Sequence, residues 1–262
     1  MAMLMKNEEI SIQDVPSSDE LNSTNSECFY VLYCIHHAGG AASAFRPWQS
    51  IVNSRLRLSL IQFPGREDRI NDTMFAHLDE MVTVIAQSII ADCPPRFAIF
   101  GHSMGALAAY LIGKQLLSSG IQPQRLIVSC CRPPNIKPLP YTPALEDDRA
   151  LLREIGKIYG GIPDEIFHYP EMVQHSAKVL RADINLLNSY TPPVPPYSDL
   201  AIPINVFYGK QDNSIDFNEL TGWRLHTSAS CTFQAFNGGH FYFHDNANPI
   251  ADALTAICLN KD

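Results

Sequence analysis

The stretch that most constrains the fold of this chain is 96–107, where an apolar run leads into Gly-His-Ser-Met-Gly at 101–105 and then into a helix-forming segment. This order predicts a buried strand, a sharp turn and a helix. So tight a reversal strains the backbone at Ser103 and leaves no space for side chains two residues to either side, a demand that Gly101 and Gly105 meet. We therefore expect Ser103 at the top of a sheet, where the positive end of the following helix stabilises negative charge.

Apolar, β-rich runs alternate with helix-like segments around this stretch. The predicted strands are 29–36, 56–63, 97–100, 126–130, 202–208 and 231–236, and the predicted helices are 75–91, the segment after Ser103, 217–227 and 249–258. Such alternation is typical of an α/β fold, with a mostly parallel central sheet covered by helices on both faces. Right-handed crossovers then bring the loops after all the strands to the same edge as Ser103.

The alternation is interrupted between about 132 and 196. Prolines cluster at both ends of this region, and only the helix-like segments 147–159 and 170–190 lie between them. This pattern predicts a helical insertion that could act as a lid, although ordinary helices packed on the sheet edge are the alternative. We expect a single domain over 28–262. It is preceded by a leader at 1–27 that is acidic, rich in Ser and Asn, unlike a signal peptide and therefore expected to be flexible.

Composition argues against several classes of protein. A formal net charge of −8 over 262 residues argues against nucleic-acid binding, and no apolar stretch approaches the length of about 18 residues that a membrane span needs. The seven cysteines are odd in number and show no C-x-x-C spacing, so we expect reduced thiols in a cytoplasmic protein. No spacing of Cys and His indicates a metal site.

A serine hydroxyl becomes a nucleophile when a base removes its proton and an acid orients that base. In chains with a strand–serine–helix turn, the acid and then the base follow the serine on loops after late strands. Asp212 follows the run 202–208 and His240 follows the run 231–236. The sequence therefore predicts that Ser103 attacks an acyl carbon, His240 transfers the proton and Asp212 fixes the tautomer of His240.

Alternatives to these assignments remain open. Asp216 is the main alternative to Asp212, whereas Asp199 precedes its strand and is disfavoured. A turn at Ser103 that is only structural is the simplest alternative of all. The other histidines weighed as the base are less well placed: His102, His168, His175, His226 and His244.

An oxyanion hole is expected from two backbone N–H groups. The first is that of Met104, the residue after the nucleophile, and the second is that of Ala38, in the loop after the first predicted strand. His37 adjoins this loop and is assigned no chemistry.

Five segments of the sequence, taken in this order, resemble the type II thioesterases that accompany non-ribosomal peptide and polyketide synthases. They are Ala38-Gly39-Gly40 with Phe45-Arg46-Pro47-Trp48 behind it, Phe-Pro-Gly-Arg-Glu-Asp-Arg at 63–69, the pentapeptide at 101–105, Gly209-Lys210-Gln211-Asp212, and Gly239-His240-Phe241-Tyr242-Phe243. The resemblance covers about 29–258, and the segment at 63–69 makes it far more specific than the serine turn alone. The chain departs from the family at His36-His37, where members usually carry Pro and an aromatic residue or His.

The resemblance implies an α/β-hydrolase fold with a helical lid, and Ser103, Asp212 and His240 as a catalytic triad. It also implies an editing reaction, the hydrolysis of stalled or wrong acyl groups from the phosphopantetheine thiol of carrier proteins. No cofactor or metal of the enzyme's own is expected. A medium-chain fatty acyl thioesterase, a general carboxylesterase and a non-catalytic binding module remain as alternatives.

The partners that the resemblance implies are acyl or peptidyl carrier protein domains, with the enzyme itself a monomer. Carrier proteins are typically acidic, so a basic rim would help docking. The candidates for such a rim are Arg46, Arg66, Arg69, Arg132 and Lys137, although solvated or structural charges are the simpler interpretation of each.

Overall fold

The computed structural model describes residues 11–14, 30–138, 147–197, 200–245 and 247–259. Its strands form one sheet in the order β1-β3-β2-β4-β5-β6-β7. The strands are β1 (Ser11–Asp14), β2 (Tyr30–Ile35), β3 (Leu56–Gln62), β4 (Phe97–His102), β5 (Arg125–Ser129), β6 (Ile204–Gly209) and β7 (Cys231–Phe236). The strands β2 to β7 are all parallel, which confirms the predicted α/β sheet.

Helices cover both faces of the sheet. In the described residues they are α1 (Leu78–Asp92), α2 (Met104–Ser118), α3 (Asp148–Tyr159), α4 (Pro170–Ser189), α5 (Phe217–Leu220), α6 (Tyr242–Asp245) and α7 (Asn248–Leu259). The sequence of β2 is apolar throughout because successive side chains point to opposite faces of the sheet and both faces are covered by helices. Val31 and Tyr33 pack in the cluster that contains α1 and α2, whereas Leu32 and Cys34 pack in the cluster that contains α7.

The N-terminal segment differs from its prediction. Residues 1–27 were expected to form a flexible leader, but Ser11–Asp14 pairs antiparallel with β3, with Ser11 opposite Gln62 and Asp14 opposite Ser59. The pairing covers an edge of the sheet whose backbone groups would otherwise lack partners. The rest of the predicted leader, 1–10 and 15–27, lies outside the described residues.

The helix predicted at 217–227 is also only partly correct. The α-helical part is confined to Phe217–Leu220, and the chain continues as a 3-10 helix over Thr221–His226. Trp223, within this 3-10 turn, is completely buried and donates its indole N–H to the carbonyl of Cys131 at 2.8 Å. The buried Trp223 therefore lies in the segment where the chain changes from α-helix to the tighter 3-10 helix.

The region between β5 and β6 is helical, as predicted, and its described residues contain no strand. Helices α3 and α4, with the 3-10 turn Asp164–His168 between them, enclose an apolar cluster of their own: Leu151, Leu152, Val173, Ala177, Leu180 and Ile184. Ala38 from the loop after β2 packs against this cluster, which joins the insertion to the edge of the sheet. Among the described residues, no helix is both long enough and apolar enough to cross a bilayer.

Candidate active site

Ser103 occupies the strained turn that the sequence predicts. It lies between the end of β4 and the start of α2 with φ 57° and ψ −118°, backbone angles that a residue with a side chain rarely adopts. Its backbone N–H donates to the carbonyl of Ser129 in β5 at 2.8 Å, which helps to hold the turn in this conformation. The serine therefore stands at the carboxyl end of the parallel sheet and at the N-terminus of a 15-residue helix.

The two glycines of the turn sit where chain segments touch. A Cβ atom on Gly101 would lie 2.0 Å from the carbonyl oxygen of Gly105, and one on Gly105 would lie 2.2 Å from the carbonyl oxygen of Ile35. Both contacts are with backbone, which cannot move aside as a flexible side chain would. Helix α2 can therefore approach β4 and β2 this closely only because both positions are glycine.

Asp212 and His240 are brought together by the turns after β6 and β7. The Nδ1 of His240 lies 2.8 Å from Oδ2 of Asp212, and only about 4% of either side chain is exposed. An ionised carboxylate only accepts hydrogen bonds, so Nδ1 carries the proton and donates it. The two turns are also joined directly, because the N–H of Gln211 donates to the carbonyl of Gly238 at 2.9 Å.

The surroundings of Asp212 keep its carboxylate ionised. Burial alone would raise the pKa of Asp212, but the hydrogen bond and charge of His240, together with two hydrogen bonds from Ser214, lower it to about 2. Ser214 donates its backbone N–H to Oδ1 of Asp212 at 2.9 Å and its hydroxyl to the same oxygen at 2.5 Å. The hydroxyl also lies 3.3 Å from Nδ1 of His240, so it contacts both members of the pair.

The competing residues have other partners. Asp216 caps helix α5, where its carboxylate accepts the N–H of Asn218 at 2.8 Å. His226 is buried between Asn135, 2.8 Å from its Nε2, and the hydroxyl of Tyr110, 3.3 Å from its Nδ1. The structure thus gives Asp216 a helix-capping contact and His226 two buried partners of its own.

Histidines with neutral rings surround His240. The ring of His102 lies 5.0 Å from that of His240, and its Nδ1 lies 2.9 Å from the hydroxyl of Ser129. Burial, and next the charge of His240, lowers the pKa of His102 well below its usual value and the pKa of His37 to about 3. These two imidazoles are therefore neutral at physiological pH, and only His240 among the three has a carboxylate partner.

A cavity of about 590 Å³ lies between the sheet edge and the helical insertion. Ser103 and His240 line its floor together with Ala38 and Met104, the two residues predicted to supply the oxyanion hole. The wall contributed by α3, α4 and the residues between them is mainly apolar and includes Leu152, Ile155, Ile162, Leu180, Ile184 and Leu187. The insertion therefore covers the edge of the sheet that carries the predicted site.

The predicted basic rim is only partly present. Arg66 was a candidate, but its side chain is 5% exposed and paired with Asp183, so its assignment to a docking rim is wrong. Of the other candidates, Arg132 lies 2.8 Å from Glu219 and Arg69 lies 2.7 Å from Asp72. The remaining two are a half-exposed Arg46 that lies 3.5 Å from Glu67, and the exposed Lys137.

One group of side chains in the described residues has the spacing of metal ligands. The thiol of Cys130, the carboxylate of Asp212 and a ring nitrogen of His240 all lie within 4.8 Å of one another. Asp212 is already bonded to His240 and Ser214 through both of its oxygens. Burial, and next the charge of Asp212, raises the pKa of the Cys130 thiol well above its usual value, which opposes the thiolate that a metal requires.

Comparison with known proteins places the chain in a family. The family model described as a thioesterase domain matches residues 31–258, which is most of the chain. This chain belongs to the thioesterase family. It is an enzyme that hydrolyses thioesters, and its structural relatives are thioesterases of the α/β-hydrolase fold.

Three relatives illustrate the range of the similarity. Thioesterase PikA5 of Streptomyces venezuelae is 32% identical over 233 residues, covering 85% of this chain and 80% of PikA5. The human medium-chain S-acyl fatty acid synthase thioesterase is 29% identical, covering 86% of this chain and 84% of its own. The structure of YbtT, described as the type II thioesterase from the yersiniabactin NRPS/PKS pathway, matches with a TM-score of 0.76 and 26% identity, covering 90% of this chain and 95% of YbtT.

Sequence reasoning about this thioesterase missed several residues of the site. Ser214 could have been found, because a hydroxyl residue two positions after an aspartate is a common partner of its carboxylate. Tyr159 of α3, whose ring lies 4.9 Å from that of His240, had no comparable signal. Asp183 is 117 residues from its partner Arg66 and carried none either.

Proposed function

We propose that this thioesterase is a type II editing enzyme that hydrolyses acyl or aminoacyl thioesters on the phosphopantetheine arm of carrier proteins in non-ribosomal peptide or polyketide synthesis. The observation that carries the proposal is the buried hydrogen bond between His240 and Asp212 beside a cavity that Ser103 also lines. Because Nδ1 of His240 is bonded to Asp212, Nε2 is the nitrogen available to accept a proton from Ser103.

In the proposed reaction the acyl group is transferred first from the thiol to Ser103 and then from Ser103 to water. The hydroxyl of Ser103 attacks the thioester carbonyl while Nε2 of His240 takes its proton, and the tetrahedral intermediate collapses when the thiol leaves with that proton. Water, deprotonated by His240, then attacks the acyl-serine, and the proton returns to the oxygen of Ser103 as the carboxylic acid departs. Asp212 holds the proton on Nδ1 throughout and stabilises the positive charge of the imidazolium.

The negative oxygen of each tetrahedral intermediate requires donors that are already in place. We assign them to the backbone N–H groups of Met104 and Ala38. Both residues line the same cavity as Ser103, Met104 as its neighbour in the chain and Ala38 from the loop after β2. Met104 begins α2, so the partial positive charge of the helix N-terminus adds to the effect.

The source of the acyl group is proposed from similarity and from the cavity. YbtT, with which the chain aligns over nearly its whole length, is described as acting in an NRPS/PKS pathway. The mainly apolar cavity offers a place for the acyl group under the insertion, which we propose to be a lid.

The proposed chemistry uses the side chains of the enzyme alone, and phosphopantetheine arrives with the substrate. A cytoplasmic location is part of the proposal, since the six described cysteines are all free thiols.

A second candidate function is the release of medium-chain fatty acids. It is favoured by the similarity to the human thioesterase named for that activity, which is nearly as close as the similarity to PikA5. The same apolar cavity would suit an aliphatic chain. The two candidates differ in the carrier of the thioester and in the acyl group that is preferred.

A substrate panel separates these functions. It comprises a purified carrier protein loaded through phosphopantetheine with acetyl, aminoacyl or octanoyl groups, the matching acyl-CoAs, and p-nitrophenyl esters. The editing function predicts the highest kcat/KM on the short and aminoacyl carrier thioesters. A preference for octanoyl over shorter groups would support the medium-chain function instead, and a higher kcat/KM on the oxoesters would contradict both.

The same panel tests the nucleophile. Ser103→Ala is expected to lose at least about 10³-fold in kcat on every substrate, because the residual catalysis of such sites comes from binding and the oxyanion hole alone. Retained hydrolysis would mean that the reaction occurs elsewhere. It would also restore the alternative of a non-catalytic turn at Ser103.

A further inference from the structure

The segment Pro-Gly-Arg-Glu-Asp-Arg at 64–69 is the most specific motif of the sequence, yet the proposed reaction uses none of it. Its arginine, Arg66, is one of the five candidates for a basic docking rim, for which a structural charge is the simpler interpretation. In the structure its guanidinium is turned inward, beneath the loop that carries Ala38, and so a role in docking does not explain it.

Arg66 and Asp183 form a bidentate ion pair in the interior. The NH1 group of Arg66 lies 2.8 Å from Oδ2 of Asp183, and its NH2 group lies 2.9 Å from Oδ1. The side chains are 5% and 1% exposed. A pair of charges this deeply buried is costly to desolvate and persists only where the geometry is exact in both partners.

The pair also bonds to the backbone of the loop after β2. Oδ2 of Asp183 accepts the N–H of Gly39 at 2.7 Å, and NH1 of Arg66 donates to the carbonyl of Gly40 at 3.0 Å. The chain is therefore held at the two residues that directly follow Ala38. Gln62 adds a further tie, because its side chain donates to the carbonyl of Arg66 at 3.2 Å and accepts the N–H of Ala42 at 2.8 Å.

Asp183 reaches the loop from α4, the helix of the proposed lid. The same helix lines the cavity through Leu180, Ile184 and Leu187. One helix therefore contacts the acyl cavity with some of its side chains and holds the loop of Ala38 with another. The loop contains no helix or strand, but it has one hydrogen-bonded turn across Ala38 and Gly39, in which the N–H of Gly40 donates to the carbonyl of His37 at 3.1 Å. The ion pair holds this turn against Arg66 and α4.

We propose that Asp183 and Arg66 are positioning residues that orient the Ala38 N–H of the oxyanion hole and make its geometry depend on the seating of helix α4. The proposal rests on the proposed function, since it assigns a role in the same reaction. It gives the arginine of the 64–69 motif a task in stabilising the transition state. It also implies that displacement of α4 weakens the oxyanion hole, so that full activity requires a seated lid.

The test compares steady-state hydrolysis of the acetyl-loaded carrier protein by wild type, Asp183→Asn and the double variant Arg66→Met/Asp183→Leu. An amide oxygen at 183 can still accept from Gly39 and from NH1 of Arg66, but its NH2 group would face NH2 of Arg66, where the carboxylate accepts a hydrogen bond. The bidentate pair is therefore broken, and the loop loses the anchor that fixes its orientation. Complete loss of one oxyanion donor costs about 10²–10³ in kcat in other hydrolases. For a misoriented donor we expect kcat to fall about 10- to 100-fold and KM to change less than about threefold.

The double variant separates positioning from folding. Replacing a buried ion pair with apolar side chains of similar size commonly preserves or raises stability. Because the double variant also removes the partners of the Gly39 N–H and the Gly40 carbonyl, we expect its Tm to lie below that of wild type but above that of Asp183→Asn, which breaks the pair on one side only. Its kcat should remain as low as in Asp183→Asn. The inhibition constant of octylboronic acid, which forms a tetrahedral adduct on a catalytic serine, should rise by the same factor as kcat falls.

The matched control is Asp148→Asn, which removes an ion pair of 3.0 Å between α3 and Arg181 of α4 without touching the loop. It is expected to keep kcat within about twofold. Three outcomes would overturn the positioning role: a wild-type kcat in Asp183→Asn or in the double variant, an equal loss of kcat in the control, or failure of both Asp183 variants to fold. If wild type is inactive on the thioester, or Ser103→Ala remains active, the proposed function itself fails. These two measurements are made before the Asp183 variants are compared.

Discussion

Two aspartates, four residues apart, follow β6, and the structure gives them different neighbours. Asp212 is buried against His240, and its pKa is held at about 2 by the partners that offset its burial. Asp216 lies at the start of α5 and accepts a backbone N–H there. A carboxylate that stays ionised beside an imidazole is what the proposed proton transfer needs, because the charge of His240 changes during each turnover.

This difference predicts opposite outcomes for two identical substitutions. Asp212→Asn is expected to lower kcat by about 10²–10⁴, because an amide neither fixes the tautomer of His240 nor stabilises its charged form. Steady-state rates on octanoyl-CoA between pH 6 and pH 9 would measure the loss. Circular dichroism would establish that the variant is folded.

Asp216→Asn is the control for this prediction. Asn is as good a helix N-cap as Asp, so the variant should retain kcat within about threefold. A comparable loss of activity in both variants would contradict the assignment of Asp212 as the acid partner. A loss confined to Asp216→Asn would transfer the role to that residue.

At the scale of single elements, the contact between α2 and the sheet depends on Gly105. Its Cα faces the carbonyl oxygens of Ile35 and His36, which a Cβ atom would approach to 2.2 and 2.6 Å. Gly113 lies two turns later in the same helix, and a Cβ there would meet only Cδ1 of Ile202, at an ordinary 3.9 Å. Of these two glycines, only Gly105 is required by a close contact with backbone.

Replacing each glycine with alanine should change stability in opposite directions. Gly105→Ala is expected to lower the free energy of unfolding by about 3 kcal/mol, since backbone must move to admit the methyl group. Gly113→Ala should leave it unchanged or raise it by up to about 1 kcal/mol, because alanine favours the helix. Urea unfolding of the two variants measures both values. Equal destabilisation of the two would show that the contact at β2 is not the constraint.

The elements themselves were largely predictable from the sequence. The six parallel strands are predicted within a few residues. For β2 to β6 the reason is that strands buried on both faces read as mainly apolar runs, whereas the edge strand β7 alternates exposed Thr232 and Gln234 with more buried residues. The strand Ser11–Asp14 was not predicted, since four residues with a single apolar side chain give no apolar run, and an edge strand is formed by its backbone pairing. The 3-10 helix Thr221–His226 was read as α-helix, because the burial of Trp223 is a tertiary effect.

The geometry of the candidate site was predictable where its residues follow local patterns. Ser103, Asp212 and His240 each stand in a turn after a strand, and the topology brings two of them into hydrogen-bonding contact and places all three near one edge. The pairing of Arg66 with Asp183 was not predictable, because it joins two segments 117 residues apart and neither carries a pattern that points to the other.

At the scale of the whole molecule, the sheet and the insertion act as two layers with the acyl cavity between them. The lower layer supplies Ser103 and His240, and the upper layer supplies most of the apolar wall. Substrate preference should therefore be set mainly by the insertion, while the chemistry is set by the sheet. Leu187 of α4 is suited to test this division, because it lines the cavity and also packs against the main core.

Leu187→Phe should shorten the preferred acyl chain by about two methylenes, because the ring occupies space that the end of the chain would fill. Each methylene that the ring excludes from the cavity loses about 0.8 kcal/mol of burial, so kcat/KM of the variant should fall about fourfold relative to wild type for each such methylene. A series of acyl-CoAs from acetyl to dodecanoyl gives the ratio of kcat/KM between the two proteins at each chain length. Leu111→Phe is the matched control, since Leu111 packs against the same core but is absent from the described lining of the cavity. A ratio that does not change with chain length in Leu187→Phe, or an equal change in the control, would mean that the acyl chain binds outside the cavity beneath the insertion.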